Sequence, residues 1–134
     1  MPVTKILMVG ANGQIGSVLT QELRKLYGVK NVIASDLRPP HQETEPFEIL
    51  DICDRERLTQ IVDNHKITQI YHLAAILSAK GEMNPLQTWN INMEGLFNVL
   101  EVAREKVLDK VFFPSSIAVF GLTTPRQNLS LIHI

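Results

Sequence analysis

Two hydrophobic patterns take turns along the chain: short continuous apolar runs, and segments whose apolar residues recur every three or four positions. Residues 5–10 (KILMVG) form a run of strand length ending in glycine, the pattern of a parallel strand covered on both faces. Residues 11–16 (ANGQIG) then turn the chain. Ile15, Val18, Leu19, Leu23 and Leu26 follow at offsets that predict one apolar helix face, closed by Gly28. Residues 31–35 (NVIAS) predict a second strand, ended by Asp36. Pro39 and Pro40 open a loop, and residues 47–50 predict a third strand before Asp51. A helix is expected from near Asp54, with Leu58, Ile61 and Val62 on its buried face. Residues 69–73 (QIYHL) predict a fourth strand running into Ala74 and Ala75. A long helix should carry Trp89, Met93, Leu96, Leu100 and Ala103 on one stripe, with Trp89 and Met93 in the core. Residues 110–114 (KVFFP) predict a fifth strand, stopped by Pro114 before Ser115 and Ser116. Such alternation marks an α/β protein, a parallel sheet with helices on both faces. Right-handed crossovers make the doubly wound, Rossmann-like sheet the expected topology, one domain over residues 1–128.

Gly10, Gly13 and Gly16 stand directly after the first strand and open the first helix. A dinucleotide's pyrophosphate must approach the backbone closely at a helix N-terminus, and side chains at these positions would block it. The same glycines also serve a plain βα turn. Asp36, 20 residues after Gly16, shifts the balance, because an acid at the end of the second strand accepts hydrogen bonds from ribose hydroxyls. Its charge repels a 2′-phosphate, so the expected cofactor is NAD rather than NADP. Arg38 is the counterweight, since a guanidinium can accept that phosphate. It is expected along the adenine, with a solvated loop charge as the alternative. Asp51 either meets the adenine edge or begins the next turn. Ala74 and Ala75 either leave room for a cofactor ribose or form only a tight turn.

The chain has 134 residues, 45% hydrophobic and 20% charged, which excludes a disordered tail, a collagen-like fibre and a disulfide-stapled miniprotein. A net charge of −1 gives a nucleic-acid partner no electrostatic support. No apolar stretch reaches the ~20 residues of a membrane span. The run after Lys5 stops at Gly10, so no signal peptide is expected. The single cysteine, Cys53, closes no internal disulfide, and a cytoplasmic protein is expected. His41, His65, His72 and His133 show no ligand spacing, so no metal is expected, and His72 reads as a hydrogen-bonded strand residue.

Residues 10–16 (GANGQIG), 71–75 (YHLAA), 92–95 (NMEG) and 113–121 (FPSSIAVFG) resemble the extended short-chain dehydrogenase/reductase superfamily. Residues 33–40 (IASDLRPP), 47–51 (FEILD), 77–85 (LSAKGEMNP) and 89–105 narrow the resemblance to short-chain-type L-threonine 3-dehydrogenases, over residues 5–128. The resemblance implies NAD-dependent oxidation of L-threonine to 2-amino-3-oxobutyrate. It implies cofactor contacts from Gly10, Asn12, Gly13, Gln14, Ile15, Gly16, Asp36, Leu37 and Arg38. Asp51, Ile52, Leu73, Ala74, Ala75, Asn92 and Ser115 complete that set. Ser116 matches the serine of the catalytic Ser/Tyr/Lys trio, with Ser115 as fallback, and Ser78, Gly81 and Ser116 match the substrate side. The full-length form is implied to be a homodimer.

The trio's tyrosine and lysine form a Tyr-x-x-x-Lys pair, absent from this chain: Tyr27 is followed four residues on by Asn31, and Tyr71 by Ala75. In the family the pair falls beyond residue 121. The chain is therefore expected to be an inactive N-terminal part with an incomplete cofactor domain and an apolar patch left exposed beside the long helix. Residues 129–134 (LSLIHI) read as an artefactual tail, matching the in-frame translation of a transposon-end sequencing adapter. A nucleotide-sugar epimerase or dehydratase of the same superfamily and a non-catalytic NAD-binding sensor module are the alternatives.

Overall fold

Among the described residues five strands pair in parallel in a single sheet. The computed structural model describes residues 3–42, 45–77, 81–116, 119–125 and 127. The strands are β1 (Ile6–Val9), β2 (Val32–Asp36), β3 (Phe47–Ile49), β4 (Gln69–His72) and β5 (Lys110–Phe112). Among the described residues the connections include α1 (Gln14–Tyr27), α2 (Arg55–His65) and the long α3 (Pro85–Glu105), with a 3-10 turn at Val29–Asn31. The strands lie in the order β3-β2-β1-β4-β5, so the winding reverses between β1 and β4: this is the doubly wound, Rossmann-like sheet the alternation predicts.

Side chains alternate across β1, and each set meets a different helix layer. Leu7 and Val9 join Ile33, Ile70, Leu58, Ile61, Val99 and Val102 under α2 and α3. Ile6 and Met8 join Val32, Ala34 and Leu23 under α1. β1, paired on both edges, is wholly buried, which explains its unbroken apolar run.

The helix ends follow local chemistry. Gly28 closes α1 at φ 90° and donates its N–H to Arg24 O. Asp54 caps α2 by accepting from Arg57 N, and Asn84 caps α3 by accepting from Gln87 N, with Pro85 in the first turn.

Two helix faces differ from the sequence expectation. In α1 the buried residues are Gly16, Thr20 and Leu23, whereas Ile15, Val18 and Leu26 are each more than 60% exposed. In α3 they are Gly95, Val99 and Val102; Trp89 is 65% exposed and Leu100 exposed, so the Trp89 stripe is not core. The reason is shared: each helix has two apolar sides, and its smaller residues allow the closer approach to the sheet. A Cβ on Gly95 would lie 2.7 Å from Ile52 Cγ2, a measure of how tightly α3 docks. The outer side of α3 thus presents Leu86, Trp89, Phe97 and Leu100, an apolar patch on the helix itself rather than on the sheet beside it. In α2 the buried residues are Leu58, Ile61 and Val62, as expected. Among the described residues no helix is long and apolar enough to cross a membrane.

Candidate functional site

The reversal of strand order between β1 and β4 opens a crevice at the carboxyl ends of the strands, where ligands bind in open α/β sheets. The turn after β1 stands at that point. Gly10 N and Ala11 N both donate to Ser35 O at 3.0 Å, tying the turn to the end of β2. Gly10 adopts φ +88°, and a Cβ on it would lie 2.8 Å from Ala74 N, so only glycine lets the turn lie against the end of β4. A Cβ on Gly16 would lie 2.1 Å from Gly10 O, so that glycine lets α1 start against the turn.

Gly13 is different. Its nearest contact to an added Cβ is 3.4 Å away and its φ is −71°, so neither backbone nor packing demands glycine there. The position makes sense if something outside the chain comes close. Gly13 is also the N-cap of α1, where no side chain accepts from the helix N–H groups and no acid sits in the first turn. Exposed Gln14 and Ile15 follow it. The cradle therefore fits an anionic diphosphate at a helix N-terminus.

Asp36 ends β2 beside this turn. Its Oδ2 accepts from Asn12 N at 2.9 Å and its Oδ1 from Leu37 N at 2.8 Å. A carboxylate has about four acceptor positions, so one per oxygen is left for a vicinal diol. Asn12 Nδ2 donates to Arg38 O at 2.8 Å, and the Arg38 side chain is exposed. Asp51 is exposed and accepts from Cys53 N at 2.9 Å, the turn-starting role, while Ile52 is buried against the core. Leu73 N donates to Val9 O, and Ala74 and Ala75 continue from there along the crevice.

Two helix asparagines hold the loops around this edge. Asn92 clamps Ile76 from both sides, accepting from its N–H at 2.8 Å and donating to its carbonyl at 3.1 Å. Asn98 Nδ2 donates to Ile52 O at 3.0 Å. The sequence reading included Asn92 and missed Asn98; the available signal was a further asparagine in the apolar stretch of the helix between Phe97 and Val99. Ser115 and Ser116 follow β5 at the same sheet edge and are exposed. Gly81 is buried and its N–H donates to Leu77 O, whereas Ser78 lies outside the described residues, as do residues 129–134.

The sequence reading also missed how His72 is placed. This side chain is 1% exposed, stacks on Phe113 with centroids 5.6 Å apart, and has no hydrogen-bond partner for Nδ1. The expected hydrogen-bonded strand residue therefore has one ring nitrogen unpaired among the described residues. Burial lowers its pKa to about 4, so the ring is neutral at pH 7. Burial, aided by Tyr27, raises the Tyr71 phenol, the wrong direction for a general base. Burial and the carboxylates of Asp51 and Glu94 raise the Cys53 thiol, keeping it protonated. Among the described residues no cluster of His, Cys, Asp or Glu is placed to hold a metal ion.

The sheet order, the glycine turn and the acid at the end of β2 define a dinucleotide-binding α/β protein. The chain belongs to the NAD dependent epimerase/dehydratase family, whose profile matches residues 6–132, and its cofactor is NAD. An uncharacterized epimerase/dehydratase of Staphylococcus saprophyticus is 47% identical over 97% of this chain and 42% of its own length. The GalE-like L-threonine dehydrogenase of Cupriavidus necator, a holo structure, is 54% identical with a TM-score of 0.85, covering 90% of this chain and 40% of that one. The L-threonine dehydrogenase of Clostridium difficile is 48% identical with a TM-score of 0.85, covering 93% and 40%. The chain thus spans about two fifths of the length of these relatives.

Proposed function

We propose that this chain is the coenzyme-binding N-terminal part of an NAD-dependent L-threonine 3-dehydrogenase, acting in the cytoplasm on L-threonine to give 2-amino-3-oxobutyrate. The observation that carries the reading is the 54% identity to the Cupriavidus necator enzyme over 90% of the chain. Residues 77–85 (LSAKGEMNP), the segment most particular to threonine dehydrogenases, support it. Bound NAD supplies the hydride acceptor. Gly10, Gly13 and Gly16, with Asn12, Gln14 and Ile15, would hold its diphosphate. Asp36, Leu37 and Arg38 would hold the adenosine ribose and the adenine, bordered by Asp51 and Ile52. Leu73, Ala74, Ala75 and Asn92 would shape the crevice beside the second ribose. Ser116, with Ser115 behind it, would fix the substrate hydroxyl, and Ser78 and Gly81 would line the substrate side.

Removal of the hydroxyl proton needs a base of lowered pKa. Neither Tyr27 nor Tyr71 has a lysine four residues on, and Tyr71 is shifted upward. The 134-residue chain alone is therefore inactive on threonine. The apolar outer side of α3 supports burial of that helix in the larger assembly, including a homodimer of the longer form.

The test joins this chain to the remaining carboxyl-terminal length of the Cupriavidus necator enzyme and follows NADH formation. The reading expects NADH from L-threonine with the chimera and none with the 134-residue chain. A folded chimera that ignores threonine and epimerises a nucleotide sugar, or that binds NAD without turnover, overturns it.

A further inference from the structure

The Asn12 side chain has one hydrogen bond that the glycine turn itself does not require. Its backbone N–H completes the Asp36 carboxylate, while its carboxamide reaches across to the Arg38 carbonyl at 2.8 Å. One residue therefore ties the phosphate-binding turn to both ends of the segment Asp36, Leu37 and Arg38. The edge it fixes is made of acceptors: two carboxylate oxygens and a carbonyl. Pro39 and Pro40 follow at once and limit how the segment can swing.

Asn12 also borders an open cleft. This cleft of about 240 Å³ separates α1 from the β2–β3 connection, bounded by Asn12 and lined by Ser17, Gln21, Arg24, His41 and Gln42. Ala11, Ala34 and Pro40 also line it; Ser17 Oγ donates to Gln14 O and Arg24 is committed to Val32 O and Pro46 O, while Gln21, His41 and Gln42 carry further polar side chains there. Space for a phosphate thus exists next to the Asn12 side chain, with Gln21, His41 and Gln42 at its border.

We propose that Asn12 is a specificity-determining positioning residue for the coenzyme: its tether to the Arg38 carbonyl holds an acceptor-only edge beside Asp36 and keeps the Arg38 guanidinium and the cleft from a 2′-phosphate. Discrimination against NADP is then shared between the charge of Asp36 and this tether. The inference concerns the coenzyme end alone and does not depend on which substrate is oxidised.

The experiment measures the dissociation constants of NADH and NADPH on the 134-residue chain and its variants by calorimetry, with circular dichroism to confirm folding. In Asn12→Ala the backbone N–H to Asp36 remains and only the tether is lost. The NADPH-to-NADH affinity ratio should rise about three- to tenfold, the range one net hydrogen bond supports. In the double variant N12A/R38A the ratio should fall back to the parent value, because the freed guanidinium supplies the gain. Both ligands read the same molecule, so a general loss of folded protein leaves the ratio untouched. An unchanged ratio in folded N12A overturns the proposal, as does a gain that persists in the double variant.

Discussion

The two sides of the sheet's reversal point are finished to different degrees. On the β1–β2 side the carboxyl edge is closed by its own contacts: two N–H groups on Ser35 O, two on the Asp36 carboxylate, and the Asn12 tether. Its strands are buried almost throughout. On the β4–β5 side Phe112 and Phe113 are exposed, and α3 turns Leu86, Trp89, Phe97 and Leu100 outward. His72 keeps a buried nitrogen unpaired there. The edge proposed to hold the adenosine is therefore ordered by contacts within the described residues, while the β4–β5 side leaves apolar side chains exposed. The turn, the acid and the tether lie within 29 residues, from Gly10 to Arg38, so most of this edge is fixed by contacts local to β1 and β2, with the end of β4 packed against Gly10.

The sharpest way to break the finished side is Gly16→Val. A Cβ 2.1 Å from Gly10 O cannot be accommodated without moving α1 or the turn. Loss of stability beyond about 4 kcal/mol in urea unfolding, together with loss of NADH binding, is expected. Normal stability would show that the turn is looser than described. Next is the buried layer under α2: Leu58→Ala should cost about 2–5 kcal/mol, since that side chain is 0% exposed.

His72 gives the unfinished side a pH signature. Its folded pKa of about 4 lies below the unfolded value near 6.5, so the unfolded chain binds the proton first. Its contribution is present above pH 6.5 and is lost as pH falls toward 4, by up to about 3 kcal/mol. Urea midpoints measured between pH 7 and 4 should show this slope, and His72→Phe should flatten it; an equal slope in both proteins contradicts the assignment. The smallest effect belongs to the outer stripe. Trp89→Lys should change stability by less than about 1 kcal/mol while reducing self-association in sedimentation. A large loss of stability would mean the stripe is packed after all.

All five strands and the face of α2 were legible in the sequence: β1 and β2, covered on both sides, leave unbroken apolar runs, the shorter β3 and β5 follow from the alternation with helices, and α2 has only one apolar side. The faces of α1 and α3 were not. Ile15, Val18 and Leu26 fall at helical spacing as Leu23 does, and periodicity does not say which of two apolar sides meets the sheet. Gly10, Gly16 and Asp36 could be located from spacing, since the backbone geometry they serve is local. The Asn12–Arg38 and Asn98–Ile52 contacts join residues 26 and 46 positions apart and carry no periodic mark. His72 was invisible for a related reason: an unpaired nitrogen is a property of its surroundings, not of its neighbours in sequence.

The central claim is that the turn at Gly10–Gly16 and the carboxylate of Asp36 form one NAD site. Calorimetric titration of NADH and NADPH into the chain and its Asp36→Ala variant tests it most directly. The account predicts a clear preference for NADH that shrinks at least tenfold once the carboxylate is gone, about 1.4 kcal/mol. A folded Asp36→Ala chain with the same preference as the parent would contradict it.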